Sequence, residues 1–197
     1  MHYILFLLAL VPFYLLGAFP TGRLVAKAQG LDISQHGSGN TGATNVARVA
    51  GKRAGLLTLA GDVGKGLLGI AIAKALIGDE YFIACASFTI VAGHCFSIPG
   101  KLKGGKGVAT ALGVLLGSTP ISAVLAVAVF ALVFWLLRIV SAASISAALS
   151  APIIAMLLQV HDSLTAALVA IAFLICARHH ENIRRLVEGR EPKFSAG

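Results

Sequence analysis

Tyr3 to Phe19 reads YILFLLALVPFYLLGAF, without one charged side chain. A run of this kind, close to the roughly 20 residues that cross the hydrocarbon core of a bilayer, is a membrane helix before it is anything else. It has no basic region before it and no small-x-small cleavage site, so it is expected to stay as the first helix and not to be removed as a signal peptide. Reading outward, the run is taken as 3–22, and further apolar runs lie at 55–77, 81–98, 107–119, 120–137, 140–159 and 162–178. The fourth is short enough to be tilted, re-entrant or joined to its neighbour.

The composition agrees. The 197 residues are 57% apolar and 12% charged, with a mean hydropathy of +0.88, far from the roughly one-quarter charged residues of soluble domains. At about 20 residues per crossing the length allows at most nine helices, and about six to eight once loops are subtracted. The expected fold is an all-α integral membrane protein of about seven transmembrane helices, one domain over 1–197, with no separate water-soluble part. The three cysteines, Cys85, Cys95 and Cys176, are odd in number and lie in or beside apolar runs, so they read as packing residues.

Charge sets the expected orientation. Of the 16 lysines and arginines, all but Lys65 and Lys74 fall in loops after odd-numbered helices, while the opposite loops carry Asp79, Glu80, His161 and Asp162. The positive-inside rule then puts the N-terminus outside and the C-terminus in the cytoplasm. The net charge of +8 does not make a nucleic-acid binder, because these cations are spread over short loops between membrane helices. Much of the excess is accounted for by topology and by attraction to anionic lipid.

Three polar islands on that side carry more than topology requires. The first is Gly37-Ser38-Gly39-Asn40-Thr41-Gly42-Ala43-Thr44-Asn45-Val46-Ala47-Arg48. It contains a formal G-x-G-x-x-G, but a dinucleotide site needs a preceding strand and a βαβ unit, and here a membrane helix precedes it. What survives is physical: glycines let the backbone converge its N–H groups on an oxyanion, with Ser38, Thr44 and Asn45 as further donors and Arg48 as a bidentate grip. An ordinary flexible turn is the alternative.

The second island runs from Gly93-His94 through Lys103-Gly104-Gly105-Lys106-Gly107 to Thr110. From Gly100 it is one residue short of a P-loop, since Gly107 stands where the metal-binding hydroxyl should be, and no strand precedes it. It reads as a lysine-bearing glycine loop opening a helix near Gly107, whose N-terminus favours anions. A plain basic loop is the alternative.

The third island, Arg178 to Phe194, holds His179 and Asn182 three apart, with Arg185 one turn further on if the seventh helix continues. The alternative is an amphipathic basic tail on lipid. No H-x-x-x-H or H-E-x-x-H occurs, and nothing calls for a metal or a cofactor. Inside the second helix, Asp62 and Lys65 read first as a structural ion pair, and Gly113-x-x-x-Gly117 as a close-packing helix face.

Phosphate-type islands joined to membrane helices suit a phosphorylated polar substrate with a lipid partner. The H-x-x-x-x-D pair of many glycerolipid acyltransferases and the G-x-S-x-G elbow are both missing. An activated acyl donor would need positioning and charge stabilisation more than a nucleophile. A transporter of a phosphate ester or lysophospholipid would use similar anion sites, but no convincing repeat relates the two halves.

In these motifs the sequence resembles the bacterial acyl-phosphate-dependent glycerol-3-phosphate acyltransferases, the PlsY family, over essentially its whole length. Gly37 to Arg48 follows G-S-G-N-x-G-A-T-N-x-x-R, Lys103 to Thr110 follows K-G-G-K-G-V-A-T, and His179-x-x-Asn182-Ile183-x-Arg185-Leu186 follows the closing motif. The resemblance implies a multi-pass enzyme of the bacterial inner membrane, with its site at the cytoplasmic face. It would move an acyl group from acyl phosphate to the 1-hydroxyl of glycerol 3-phosphate, without a cofactor, giving lysophosphatidic acid and inorganic phosphate. Gly37, Ser38, Gly39, Asn40, Gly42, Thr44 and Asn45 would cradle the donor phosphate. Arg48, Lys106, His179 and Asn182 would hold glycerol 3-phosphate and stabilise charge, with His94, Lys103, Gly104, Gly105 and Arg185 as further binding residues. Ser38, Lys106, His179 and Asn182 are the catalytic candidates, and the implied route is direct attack without an acyl-enzyme. Membrane lipid, the enzyme that makes acyl phosphate and the next acyltransferase are the implied partners.

Overall fold

The structure is a computed structural model that describes residues 2–97 and 104–194. Among these are ten α-helices and one short 3-10 turn, with no strand. In chain order they are α1 (His2–Ala18), α2 (Thr21–Lys27), the 3-10 turn Ile33–Gln35, α3 (Ala43–Ala50), α4 (Lys52–Leu76), α5 (Glu80–Phe96), α6 (Val108–Ser118), α7 (Pro120–Leu137), α8 (Val140–Leu157), α9 (Asp162–Arg178) and α10 (His180–Val187).

Each apolar run of the sequence but the first becomes one helix, and local chemistry sets the ends. Asp79 caps α5 by accepting from the Phe82 N–H at 2.8 Å, His161 caps α9 by accepting from the Ser163 N–H at 3.2 Å, and Pro120 opens α7 where no N–H is needed. The run read as 3–22 is divided, because Pro20 sits at ψ 60°, outside the helical region, and lacks the N–H to continue α1. The Phe19 carbonyl at the break is taken up by the Thr21 N–H at 3.0 Å and by Lys65 Nζ at 3.1 Å.

By length and composition, four segments can cross a membrane: 3–27, α4, α7 and α8. A fifth qualifies if α9 and α10, bent by 64°, count together, while α5 and α6 are shorter apolar helices. Length alone therefore supports four or five crossings where the sequence reading counts seven.

Packing places α4 at the centre, between α6 and α3, with α1 against α5, α5 against α9 and α7 against α8. The main core gathers Phe13, Ile70, Phe82, Ile90, Val91, Val114, Leu168, Ile171 and Ile175. Outward faces are apolar too: Tyr3, Trp135 and Phe173 are 87%, 69% and 74% exposed, the pattern of helices solvated by lipid. Close contact between α4 and α6 depends on the small face foreseen in the sequence, since a Cβ at Gly113 would collide with the Val63 carbonyl. A second, smaller core of Ala26, Ile33, Val46 and Ala54 fastens the first polar island to the N-terminal end of α4.

Within the helices, Asp62 and Lys65 pair at 2.9 Å, both almost fully buried, and His94 Nδ1 of α5 lies 3.5 Å from the same Asp62 oxygen. Ionisable groups at this depth are costly unless paired, and this cluster joins α4, α5 and the broken end of α1. All three cysteines are free thiols.

Candidate active site

The first island is half loop, half helix. Asp32 tightens the 3-10 turn by accepting from the Ser34 N–H and Oγ and from Gln35 Nε2, at 3.0, 2.7 and 3.0 Å, and the Ser34 bonds hold its carboxyl below the usual range. Asn45, buried on α3, closes the loop: its Oδ1 accepts from the Ser38 N–H at 3.0 Å, and its Nδ2 donates to the His36 and Asn40 carbonyls at 3.1 and 2.9 Å. Asn40 Oδ1 accepts from the Gly42 N–H at 2.8 Å. Gly37 and Gly39 take φ of 60° and 67°, the backbone freedom anticipated for an anion-holding loop. Ser38, Thr44 and Arg48 are exposed. Of the foreseen donors, therefore, Asn40 and Asn45 are engaged within the loop, and Ser38 Oγ, Thr44 and Arg48 lie at its surface.

The second and third islands meet. Lys106 Nζ donates to Asn182 Oδ1 at 2.5 Å, Asn182 Nδ2 to Glu191 Oε1 at 2.5 Å, Ser141 Oγ to the same oxygen at 2.7 Å, and Arg185 Nε to Glu191 Oε2 at 2.6 Å. Burial lowers the pKa of the Lys106 ammonium, opposed by the Glu191 carboxylate. Burial would raise Glu191, but the bonds from Asn182, Ser141 and Arg185 outweigh it and keep its pKa below the usual range.

His179 does not continue α9. It takes φ −102° and ψ 11°, the chain bends by 64°, and α10 starts anew. The imidazole turns back, with Nδ1 at 2.8 Å from the Ile175 carbonyl. A carbonyl can only accept, so Nδ1 carries the proton in this bond and Nε2 holds the lone pair. Burial pushes the His179 pKa down to about 4. The seventh run ends at Arg178 as read from the sequence, so the condition under which His179, Asn182 and Arg185 would share one continuous helix is not met: His179 and Asn182 are both buried at an elbow, and Arg185 is paired with Glu191.

The glycine segment leading to Lys106 is held from two sides. The Gly105 N–H donates to the His94 carbonyl at 3.0 Å, and a Cβ at Gly105 would collide with the His94 ring. Arg178 Nε and Nη2 donate to the Gly105 and Gly104 carbonyls, both at 3.2 Å. Gly107 caps α6 in the left-handed region, at φ 88°. Lys103 lies outside the described residues. A cavity of about 10 Å³, lined by Arg23 and Thr41 with Asp62, Lys65, His94, Ser97 and Gly104, adjoins the first two islands. Among the described residues no three His, Cys, Asp or Glu side chains gather as metal ligands would.

Sequence reasoning missed Glu191, Ser141 and Arg178. Glu191 had a signal, as a carboxylate set among Arg184, Arg185, Arg190 and Lys193. Ser141, at the start of α8, had none.

A family model described as glycerol-3-phosphate acyltransferase matches residues 7–189. A protein of that name from Geotalea daltonii is 48% identical over 183 residues, covering 92% of this chain and 93% of that one. Another, from Syntrophotalea carbinolica, is 45% identical over 194 residues, covering 97% and 98%. Among solved structures, the glycerol 3-phosphate form of PlsY (YgiH), an integral membrane glycerol 3-phosphate acyltransferase, superposes with a TM-score of 0.91 at 38% identity, covering 96% of each chain. Its lysophosphatidic acid form gives 0.90 at 38% identity, covering 96% of this chain and 95% of that one.

Proposed function

The chain belongs to the glycerol-3-phosphate acyltransferase family, and on that premise we propose that it transfers a fatty acyl group from acyl phosphate to the 1-hydroxyl of glycerol 3-phosphate, in the first acylation of phospholipid synthesis. The observation that carries the reading is the 2.5 Å contact between Lys106 and Asn182. Two motifs far apart in the sequence supply one cation and one amide at a single point, beside His179.

In this reading the substrate hydroxyl oxygen attacks the acyl carbonyl carbon. The bond from that carbon to the phosphate oxygen breaks, phosphate leaves, and the hydroxyl proton passes to His179 Nε2 or to a phosphate oxygen. Lys106 and Asn182 stabilise the charge that develops on oxygen. Arg48 and the Ser38 hydroxyl, which lie at the surface of the first island, receive phosphate. A good leaving group leaves little for a nucleophilic side chain to do. The low pKa of His179 keeps it neutral at working pH, able to accept a proton but weakly basic, which gives the phosphate acceptor weight.

The topology proposed with it has seven crossings, the N-terminus outside and the three islands at the cytoplasmic face of the inner membrane. The shorter α5 and α6 are then full members of the bundle.

The test is release of inorganic phosphate by purified protein given palmitoyl phosphate, with and without glycerol 3-phosphate, beside a palmitoyl-CoA control. Release that depends on glycerol 3-phosphate and yields lysophosphatidic acid is the expected result. Activity with the CoA ester alone would overturn the donor assignment. Ser38→Ala retaining more than about a tenth of wild-type turnover would exclude both a Ser38 acyl-enzyme and an essential Ser38 donor. A fully active His179→Gln would remove the general-base role.

A further inference from the structure

We infer that Arg178 is a positioning residue for the reaction, acting through Lys106. The inference rests on the acyl-transfer reading above and adds to it the residue that fixes the glycine segment.

Gly104 and Gly105 have no side chains with which to anchor their own backbone, yet Lys106 follows them directly and has to reach Asn182 at 2.5 Å. Their conformation is set from outside. On one face His94 takes the Gly105 N–H at 3.0 Å. On the other, the guanidinium of Arg178 spans two consecutive carbonyls, Gly104 and Gly105, each at 3.2 Å. A planar fork with several donors suits two adjacent acceptors, whereas an ammonium is a single point. The guanidinium carbon lies over the Phe96 ring, 5.9 Å from its centroid, within reach of a cation–π attraction. Arg178 is also the last residue of α9, immediately before His179 at the elbow. One side chain thereby ties the position of Lys106 to the backbone that carries His179 and Asn182. A cation serving only membrane orientation would turn to solvent or lipid headgroups, and this one is half-buried with two nitrogens directed inward.

The test uses full-length protein in detergent as wild type, Arg178→Ala and Arg178→Lys. Amide hydrogen exchange is followed at Gly104 to Gly107, together with glycerol 3-phosphate-dependent phosphate release. The expected result for Arg178→Ala is exchange at least about tenfold faster in that segment, with α4 and α7 unchanged. With it kcat/KM falls by about 10- to 100-fold, the scale of an angstrom-level misplacement, and millimolar guanidinium recovers part of it. Arg178→Lys is intermediate in both readouts. If Arg178→Ala does not fold, Arg178→Lys alone must show the faster exchange and the lower kcat/KM. Unchanged protection of the segment, or activity that falls only with the folded fraction, overturns the inference. Wild-type protein silent toward acyl phosphate overturns the acyl-transfer reading instead, and the exchange result still decides whether Arg178 holds the loop.

Discussion

The first island and the elbow at His179 solve the same problem in opposite ways. In the first, one buried amide, Asn45, holds three backbone groups, and the groups suited to a ligand, Ser38, Thr44 and Arg48, stay exposed. At the elbow the ligand-seeking groups are bonded to the protein itself: Lys106 to Asn182, and Asn182 and Arg185 to Glu191. On the proposed reading the first is a preformed cradle, its bonds fixing its shape. The second is a charged network whose bonds are spent on aim. Removing a support should therefore harm the first through order and the second through electrostatics.

The largest expected effect is at the elbow. Lys106→Ala should lower kcat by about 10³-fold, the upper end of what one stabilising donor supplies, with the melting temperature in detergent little changed. A fall of less than tenfold would break the contrast. Next comes Asn45→Ala, which leaves the Ser38 N–H and the Asn40 carbonyl without their partner and the His36 carbonyl with the Gly39 N–H alone. It should cost about 1–3 kcal/mol in loop order and reduce turnover about 100-fold, with exchange of amides 37–42 accelerated. If turnover falls while those amides stay protected, Asn45 is a ligand donor and the first island is not the cradle described. Gly105→Ala should lower kcat/KM by about tenfold or more, because its Cβ meets the His94 ring, and a second change, His94→Ala, should restore part of the loss.

The smallest effect is on pH. His179 titrates at its ordinary 6.5 when unfolded and at about 4 when folded. The unfolded chain binds the extra proton between those values, so its contribution to stability is complete above pH 6.5 and is lost as pH falls toward 4. Thermal unfolding followed from pH 7 to 4.5 should show this loss in wild type and a smaller one in His179→Gln. Equal slopes would mean that His179 is not held neutral by the fold.

Most of the architecture was legible because lipid imposes a simple rule on length and composition. The runs that became α4, α7, α8 and α9 needed little else. The break at Pro20 was missed because an apolar run hides a single missing N–H, and Lys65, 46 residues away, takes the freed carbonyl. The end of the run at Arg178 was legible, but the sequence left open whether the helix continues, because the spacing of His179, Asn182 and Arg185 is helical, and the bonds made at the bend run to the Ile175 carbonyl and to Glu191. In the site, residue types were legible and allegiance was not: the sequence marks Asn45 and Arg185 as polar and well spaced, but only the fold shows that their hydrogen bonds run to the protein. Arg178 looked like one more loop cation because its acceptors are backbone atoms, which leave no trace in composition.

The 11-residue α6 rises only about 16 Å, against a hydrocarbon thickness of about 30 Å. In the turn that follows, the Thr119 N–H bonds the Leu115 carbonyl at 2.8 Å, the Ser118 hydroxyl bonds the Val114 carbonyl at 2.8 Å and Thr119 Oγ1 lies 2.9 Å from Ser122 Oγ. This turn lies beside Ile70, against which Gly117 packs, while α4 runs on to Leu76. In the proposed seven-crossing topology the protein thus presents two different hydrophobic heights to the lipid around it. In that topology a bilayer matched to α4 would thin or dimple at the α6–α7 corner, at a cost of fractions of a kcal/mol per Å, which would tie this protein to the thickness of the membrane around it.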